Sequence, residues 1–288
     1  MSCFSRRFFL RGFLSTAFLP LLPQVHRAKL SPSLLAAGKS GDSPGTDIAS
    51  RFLGEELRYR IGFFWFDEAA TGRISFERAK GDQGYKATLE GQTSGLIGWL
   101  TRYRRDIYTS SMELIDGGRR LKPLWFEEDV VIGDKVRKRI TLFDYQKGRL
   151  VKRRMNRRGV FIRSEEEIPE GVVYDDFLTA FYNFRCGVYG EIRRGKRYRV
   201  RTIPKGGIST IDVEIATKQE EIRRRGKEKK GEREYYVTVF LDKEITRSRT
   251  GRVEGWASRS LVPIEGIIED VVMVGDVHGV LIGGAQSG

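Results

Sequence analysis

From residue 52 onward apolar and polar side chains alternate with a period of two, the spacing of a strand that buries one face. Leu57, Tyr59, Ile61, Phe63 and Trp65 fall on one side of the first run, with Arg58, Arg60 and Gly62 on the other. Shorter runs follow at Ile74 and Phe76, at Tyr85, Ala87 and Leu89, and from Val136 to Leu142, where Arg137 and Arg139 take the face opposite the apolar one. Asp116-Gly117-Gly118, Gly133-Asp134 and Lys147-Gly148 lie between strand-like segments and predict hairpin turns, so this half is expected to be a meander. The second half repeats the theme. Tyr198 and Val200 alternate with Arg197, Arg199 and Arg201, and Ile211, Val213 and Ile215 alternate with Asp212 and Glu214. The charged stretch from Arg223 to Arg233 predicts a long solvated hairpin tip before Tyr235–Phe240, and Val271 to Ile282 is expected to supply closing edge strands.

One segment has the other period. Phe177, Phe181 and Phe184 recur at helical spacing, with Leu178 and Tyr182 widening the apolar stripe. Asp175 or Asp176 is placed to cap its start, Arg185 suits its C-terminal dipole and Gly187 is a natural stop. A lone helix between two runs of strands must plug or flank the sheet. The fold class expected is therefore mainly β: a curved antiparallel sheet or partly open barrel with one helix, near 176–185, packed against it.

The residues before this domain read as an export signal. Ser5-Arg6-Arg7-Phe8-Phe9-Leu10-Arg11 matches the twin-arginine pattern, and an apolar run from Gly12 to Val25, broken by Pro20 and Pro23, follows it. Leu35-Ala36-Ala37 offers small residues for cleavage after Ala37, and no cysteine stands where a lipobox would need one. The expected organisation is a signal peptide over 1–37 with Arg6 and Arg7 as its motif, a flexible linker over 38–51, one β-rich domain over 52–282 and a frayed tail over 283–288. The expected location is the periplasm.

Charge and cysteine content narrow the chemistry. Lys and Arg outnumber Asp and Glu by 52 to 38, and removing the five basic residues of the signal takes the net charge from +14 to +9. A basic surface of this kind aids solubility and favours anionic partners such as lipid headgroups or lipopolysaccharide. Beyond the signal only Cys186 and His278 remain, which leaves no intramolecular disulfide and no nitrogen and sulfur set for zinc. Cys186 closes an apolar segment and is expected to act as a buried small hydrophobe.

Several landmarks in order resemble the family known as domain of unknown function 3108, over roughly residues 52 to 275. They are Phe52-Leu53-Gly54-Glu55-Glu56-Leu57-Arg58-Tyr59 with Gly72, Leu121-Lys122-Pro123, Phe143-Asp144, the block Asp175 to Arg185, Gly255-Trp256-Ala257-Ser258 and Leu261-Val262-Pro263-Ile264. An aspartate expected before Pro263 is replaced around Arg259-Ser260, and the Arg-rich stretch near 223–233 is long. The resemblance implies an exported antiparallel β protein with a curved sheet and no established activity.

No catalytic set emerges. The acid pairs Glu55-Glu56 and Asp175-Asp176 and the run Glu165-Glu166-Glu167 are adjacent in sequence, and neighbours on a strand point to opposite faces, so none is by itself an acid and base pair. Ser258 lacks a nucleophile elbow, and Lys205-Gly206-Gly207 lacks phosphate-loop spacing. Neither a cofactor nor a metal is expected, and no nucleic acid despite the basic run Lys152 to Arg158. The concentration of rings around Phe63 and Trp65 suggests a concave apolar groove with Phe63, Trp65, Phe181 and Trp256 as its wall, and Arg137, Arg139, Arg199 and Arg201 as contacts for an anionic ligand. Two readings stand side by side: a non-catalytic protein that binds a lipid or other apolar anionic ligand, with peripheral membrane association, and an envelope assembly or structural protein that acts through a protein partner.

Overall fold

Alternation becomes hydrogen-bonded sheet wherever two such runs are joined by a residue that tolerates a tight turn. The computed structural model describes residues 47–285 apart from 64–65, 80–83, 205–208, 226–231 and 273–274. Arg6, Arg7, Ala37 and Trp65 lie outside the described residues, as does most of the expected linker. The first meander runs through β1 (Glu56–Phe63), β2 (Phe66–Arg78), β3 (Tyr85–Thr93), β4 (Arg105–Ile115), β5 (Arg120–Ile132), β6 (Lys135–Asp144), β7 (Arg149–Met155) and β8 (Phe161–Glu167). Gly133 and Gly148 take φ of 59° and 60° at two of its hairpins, the left-handed region that glycine enters without a Cβ penalty. A short helix α1 (Gly95–Leu100) joins β3 to β4.

The chain then crosses through α2 (Phe177–Arg185) to the far edge and meanders back along β9 (Arg197–Thr202), β10 (Ser209–Ile215), β11 (Tyr235–Phe240), β12 (Arg252–Ala257), β13 (Pro263–Val271) and β14 (Gly275–Ala285). Helix α3 (Lys218–Arg225) follows β10, and the single turn α4 (Lys243–Thr246) follows β11. All the strands form one 14-stranded antiparallel sheet in the order β8-β7-β6-β5-β4-β3-β2-β1-β14-β13-β12-β11-β10-β9. The sheet curls without closing. Its edges are tied through the segment before α2, where the Asp175 amide donates to the Arg201 carbonyl at 3.0 Å, and Lys152 Nζ on β7 reaches the Pro204 carbonyl just beyond β9 at 2.5 Å. The expected curved sheet with a packed helix is the architecture observed.

Helix α2 occupies the hollow of the curl. Leu178 and Tyr182 join a core with Phe52, Phe76, Met112, Leu121 and Leu150 of the first meander, while Ala180 and Phe184 join Tyr198, Val200, Ile211 and Val213 of the second. A helix buried on both sides in this way holds the two halves through side-chain burial, each large apolar residue contributing about 1.5–3 kcal/mol.

Five expectations need correction. The linker does not extend to residue 51: Ile48 and Ala49 are buried with Phe52 in the first core, and the Ile48 amide donates to the Gly118 carbonyl at 2.9 Å. The tail is not frayed through 283–285, because Gly283, Gly284 and Ala285 pair with Arg58, Leu57 and Glu56. β14 is no edge strand and lies at the centre of the sheet between β13 and β1. Of the stretch from Arg223 to Arg233 expected as a hairpin tip, residues 223–225 instead end a helix and 226–231 lie outside the described residues; the Thr217 amide donates to Glu220 Oε2 at 2.8 Å and the Thr217 hydroxyl accepts from the Glu220 amide, a capping box. In β6 the faces are reversed. Thr141 and Phe143 point into the curl, so Arg139 and Arg137 share their side, while Val136 is 48 % exposed.

Candidate functional site

Where α2 meets the middle of the sheet, the inward positions are small. Gly72, Gly91, Gly255 and Gly266 belong to the wall of a cavity of about 620 Å³ there. Its lining is mostly apolar, with Arg104, Asp106 and Arg247 at one border. Ile61, Phe63, Ile74 and Leu89 come from the first meander, Val237, Val239, Val253 and Ile268 from the second, and Phe177, Phe181 and Phe184 from the helix. At Gly255 no other residue fits, since a Cβ would lie 2.0 Å from the Glu265 carbonyl oxygen.

The helix that forms this wall is pinned by a buried polar network. Asp176 caps α2, its Oδ1 accepting from the amides of Leu178 and Thr179 at 2.9 and 3.0 Å and its Oδ2 from the hydroxyls of Ser110 and Thr179 at 2.6 and 2.7 Å. Asn183 forms two bonds of 2.9 Å with the main chain of Leu121, accepting from its N–H and donating to its carbonyl. Those groups need a side-chain partner because β6 pairs with β5 only from Trp125 onward. Asp175 receives the Tyr189 hydroxyl at 2.6 Å and lies 3.2 Å from Arg120, yet burial pushes its carboxyl up to about 7. Burial raises Asp176 as well.

At the end of the helix, Arg185 is clamped on Glu55 by two bonds of 2.6 and 2.8 Å, both side chains only 3 % exposed, with the guanidinium 4.6 Å from the Phe52 ring centre. The acid pairs of the sequence therefore serve the helix: one member of each, Glu55 and Asp176, anchors an end of α2. Cys186 is the C-cap of α2 and half-buried rather than buried, and burial pushes its thiol up, away from the thiolate a nucleophile needs. The Ser258 hydroxyl is engaged in its own turn, bonded to Ser260 Oγ and accepting from the Val262 amide. Among the described residues no group of His, Cys, Asp and Glu is arranged to hold a metal ion.

A second cavity of about 320 Å³ adjoins the first, sharing Tyr108 and Arg247 with it, and is completed by Glu128, Val130, Arg137 and Arg139. It owes its polarity to the reversed faces of β6. Arg139 lies 3.8 Å from Glu128, and nearby Arg104 holds Asp106 at 2.9 Å. Burial, and then the nearby Arg104 charge, lower the pKa of Arg247, while burial pushes the Tyr108 hydroxyl up to about 12.

The structure gathers some of the sequence-selected residues and separates others. Phe63 and Phe181 line the large cavity. Trp256 borders it through its strand, but its indole packs edge-on against Tyr236 at 5.2 Å beneath the Arg225 guanidinium of α3, on the side away from Gly255. Arg137 and Arg139 line the second cavity. Arg199 and Arg201 are exposed on the outer side of β9, Arg199 bonded to Asp212 at 3.0 Å. Tyr108, Arg104 and Arg247 were not selected: Tyr108 lies on β4, Arg104 just before it and Arg247 just after α4.

Fold and cavity together define a class: an antiparallel sheet curled around one buried helix, with an apolar chamber between them. The chain belongs to the family described as Protein of unknown function (DUF3108), which matches residues 58–264. No curated protein and no solved structure matches the chain.

Proposed function

We propose that this protein is a non-catalytic binding protein of the bacterial envelope that holds the apolar chain of a lipid or similar amphiphile between its sheet and α2. The observation that carries the reading is the cavity of about 620 Å³ walled by aliphatic and aromatic side chains. Its size falls within the roughly 300–1,000 Å³ of ligand sites, and its lining suits a partner gaining about 25 cal/mol for each Å² of apolar surface removed from water. The envelope address rests on Arg6-Arg7 and the apolar run after them.

The test is native mass spectrometry with lipid extraction on protein taken from the periplasmic fraction. Wild-type protein should carry lipid, and Val239→Trp, which places a large ring in the chamber from a half-buried wall position, should lose it while keeping its circular dichroism spectrum. A protein found only in the cytoplasm overturns the address. Protein that carries no lipid and co-purifies with a stoichiometric protein partner overturns the binding role in favour of assembly.

A further inference from the structure

The second cavity is built from charges that do not balance. Arg104, Arg137, Arg139 and Arg247 stand around it or at its border with the chamber, against the two carboxylates Asp106 and Glu128, an excess of two positive charges. Arg139 and Arg104 are committed to those carboxylates. Among the described residues no carboxylate forms an ion pair with Arg247, which is half-buried and feels the charges of Arg104, Asp106 and Arg137.

The backbone of Arg247 is held in an unusual conformation to place it there. Its φ is 53°, a left-handed value that a side-chain-bearing residue adopts only when its surroundings enforce it. The loop supplies that enforcement. Ser248 Oγ bonds Thr246 Oγ1 at 3.0 Å and accepts from the Gly251 amide at 2.8 Å, while the Val272 amide donates to the Arg247 carbonyl at 2.9 Å. A strained, braced residue that presents an unpaired cation to a cavity is the arrangement of a ligand clamp.

We propose that the second cavity receives a phosphate monoester headgroup, held by Arg247 with Arg137 and Arg139 beside it, while the attached chain lies in the large chamber beyond Tyr108. This rests on the reading of the chamber as a chain site and adds the class of headgroup. A phosphate monoester carries about −1.5 to −2 charges at neutral pH, which matches the excess, and its oxygens suit the planar fork of arginine. Tyr108 and Arg247 belong to both cavities, so one amphiphile spans them without leaving the protein.

Calorimetric titration of the delipidated protein with decyl phosphate, decanol and inorganic phosphate tests the assignment. Decyl phosphate should bind at least about tenfold more tightly than decanol, the scale of one or two charge-assisted hydrogen bonds. The exposed Arg137→Gln should remove most of that preference and leave decanol binding unchanged, and Arg247→Gln should separately remove most of the preference. Equal binding of decyl phosphate and decanol by the wild type overturns the headgroup site while the chain site stands. Inorganic phosphate binding as tightly as decyl phosphate overturns it in favour of a free-phosphate site. Preference retained in a folded Arg137→Gln and a folded Arg247→Gln also overturns it, and binding of neither chain ligand overturns both proposals.

Discussion

Replacing Asn183 by leucine isolates the polar anchor that holds α2 in place. The side chain is fully buried, and leucine has the same branched shape and is somewhat larger, so the change opens no cavity. It removes two hydrogen bonds of 2.9 Å, leaving the N–H and carbonyl of Leu121 facing an apolar group, together with the longer bond of 3.3 Å from Asn183 to Asp175 Oδ1. Each orphaned buried backbone group costs about 1–3 kcal/mol, so the expected loss is about 4 kcal/mol, a large part of the roughly 5–15 kcal/mol that stabilises a typical domain. In urea, with a slope of about 3 kcal/mol per molar, the midpoint should fall by roughly 1.3 M with the slope unchanged. Ligand retention should fall with it, since α2 is one wall of the chamber. A loss below about 1 kcal/mol would refute the reasoning, because water or a shifted β6 would then be serving Leu121 as well as Asn183 does.

The pH dependence of stability should carry the mark of Asp175. Its folded-state pKa is raised from 3.8 to about 7, so it contributes stability that is present below pH 4 and lost as pH rises through 7, up to about 4 kcal/mol. Urea midpoints of wild type minus Asp175→Asn should accordingly fall between pH 4.5 and 8, and a rising difference would contradict the buried-acid assignment. Gly255→Ala forces a Cβ into the Glu265 carbonyl and should cost more than about 3 kcal/mol by thermal melting, whereas Gly266→Ala, 3.3 Å from its nearest neighbour, should cost about 1 kcal/mol. Equal melting of the two would mean that β12 and β13 are not packed as closely as described.

The architecture was legible where alternation is strict, as in β9 and β10, where Tyr198, Val200, Ile211 and Val213 are buried as their period demands. α2 was legible because a stripe of phenylalanines, a capping aspartate and a terminal glycine all agree. Periodicity states that a strand has two faces and does not state which one is buried. β6 shows the limit: its aliphatic residues point outward because two arginines are wanted inside, beside the second cavity. α3 was missed although Thr217 and Glu220 spell a capping box, since the density of charge around it outweighed that signal. The chamber was hidden for a different reason. Its wall is drawn from strands far apart in sequence, and only the register, which pairs Gly255 with Gly266 and Gly72 with Gly91, brings such positions together.

The strand order has a kinetic meaning. Apart from the junction of β1 with β14, every strand pairs with a neighbour in sequence, so both meanders are assembled from local hairpins whose loops close at little entropic expense. The β1–β14 seam joins Glu56 to Ala285 and Phe63 to Val277, closing almost the whole described chain in one step. Loop-closure entropy therefore weighs on a single seam, and that seam runs beside the glycine-lined wall of the chamber. The same junction that completes the sheet also completes the cavity, so the chamber comes into being at the slowest and most cooperative point of folding, when the two halves meet.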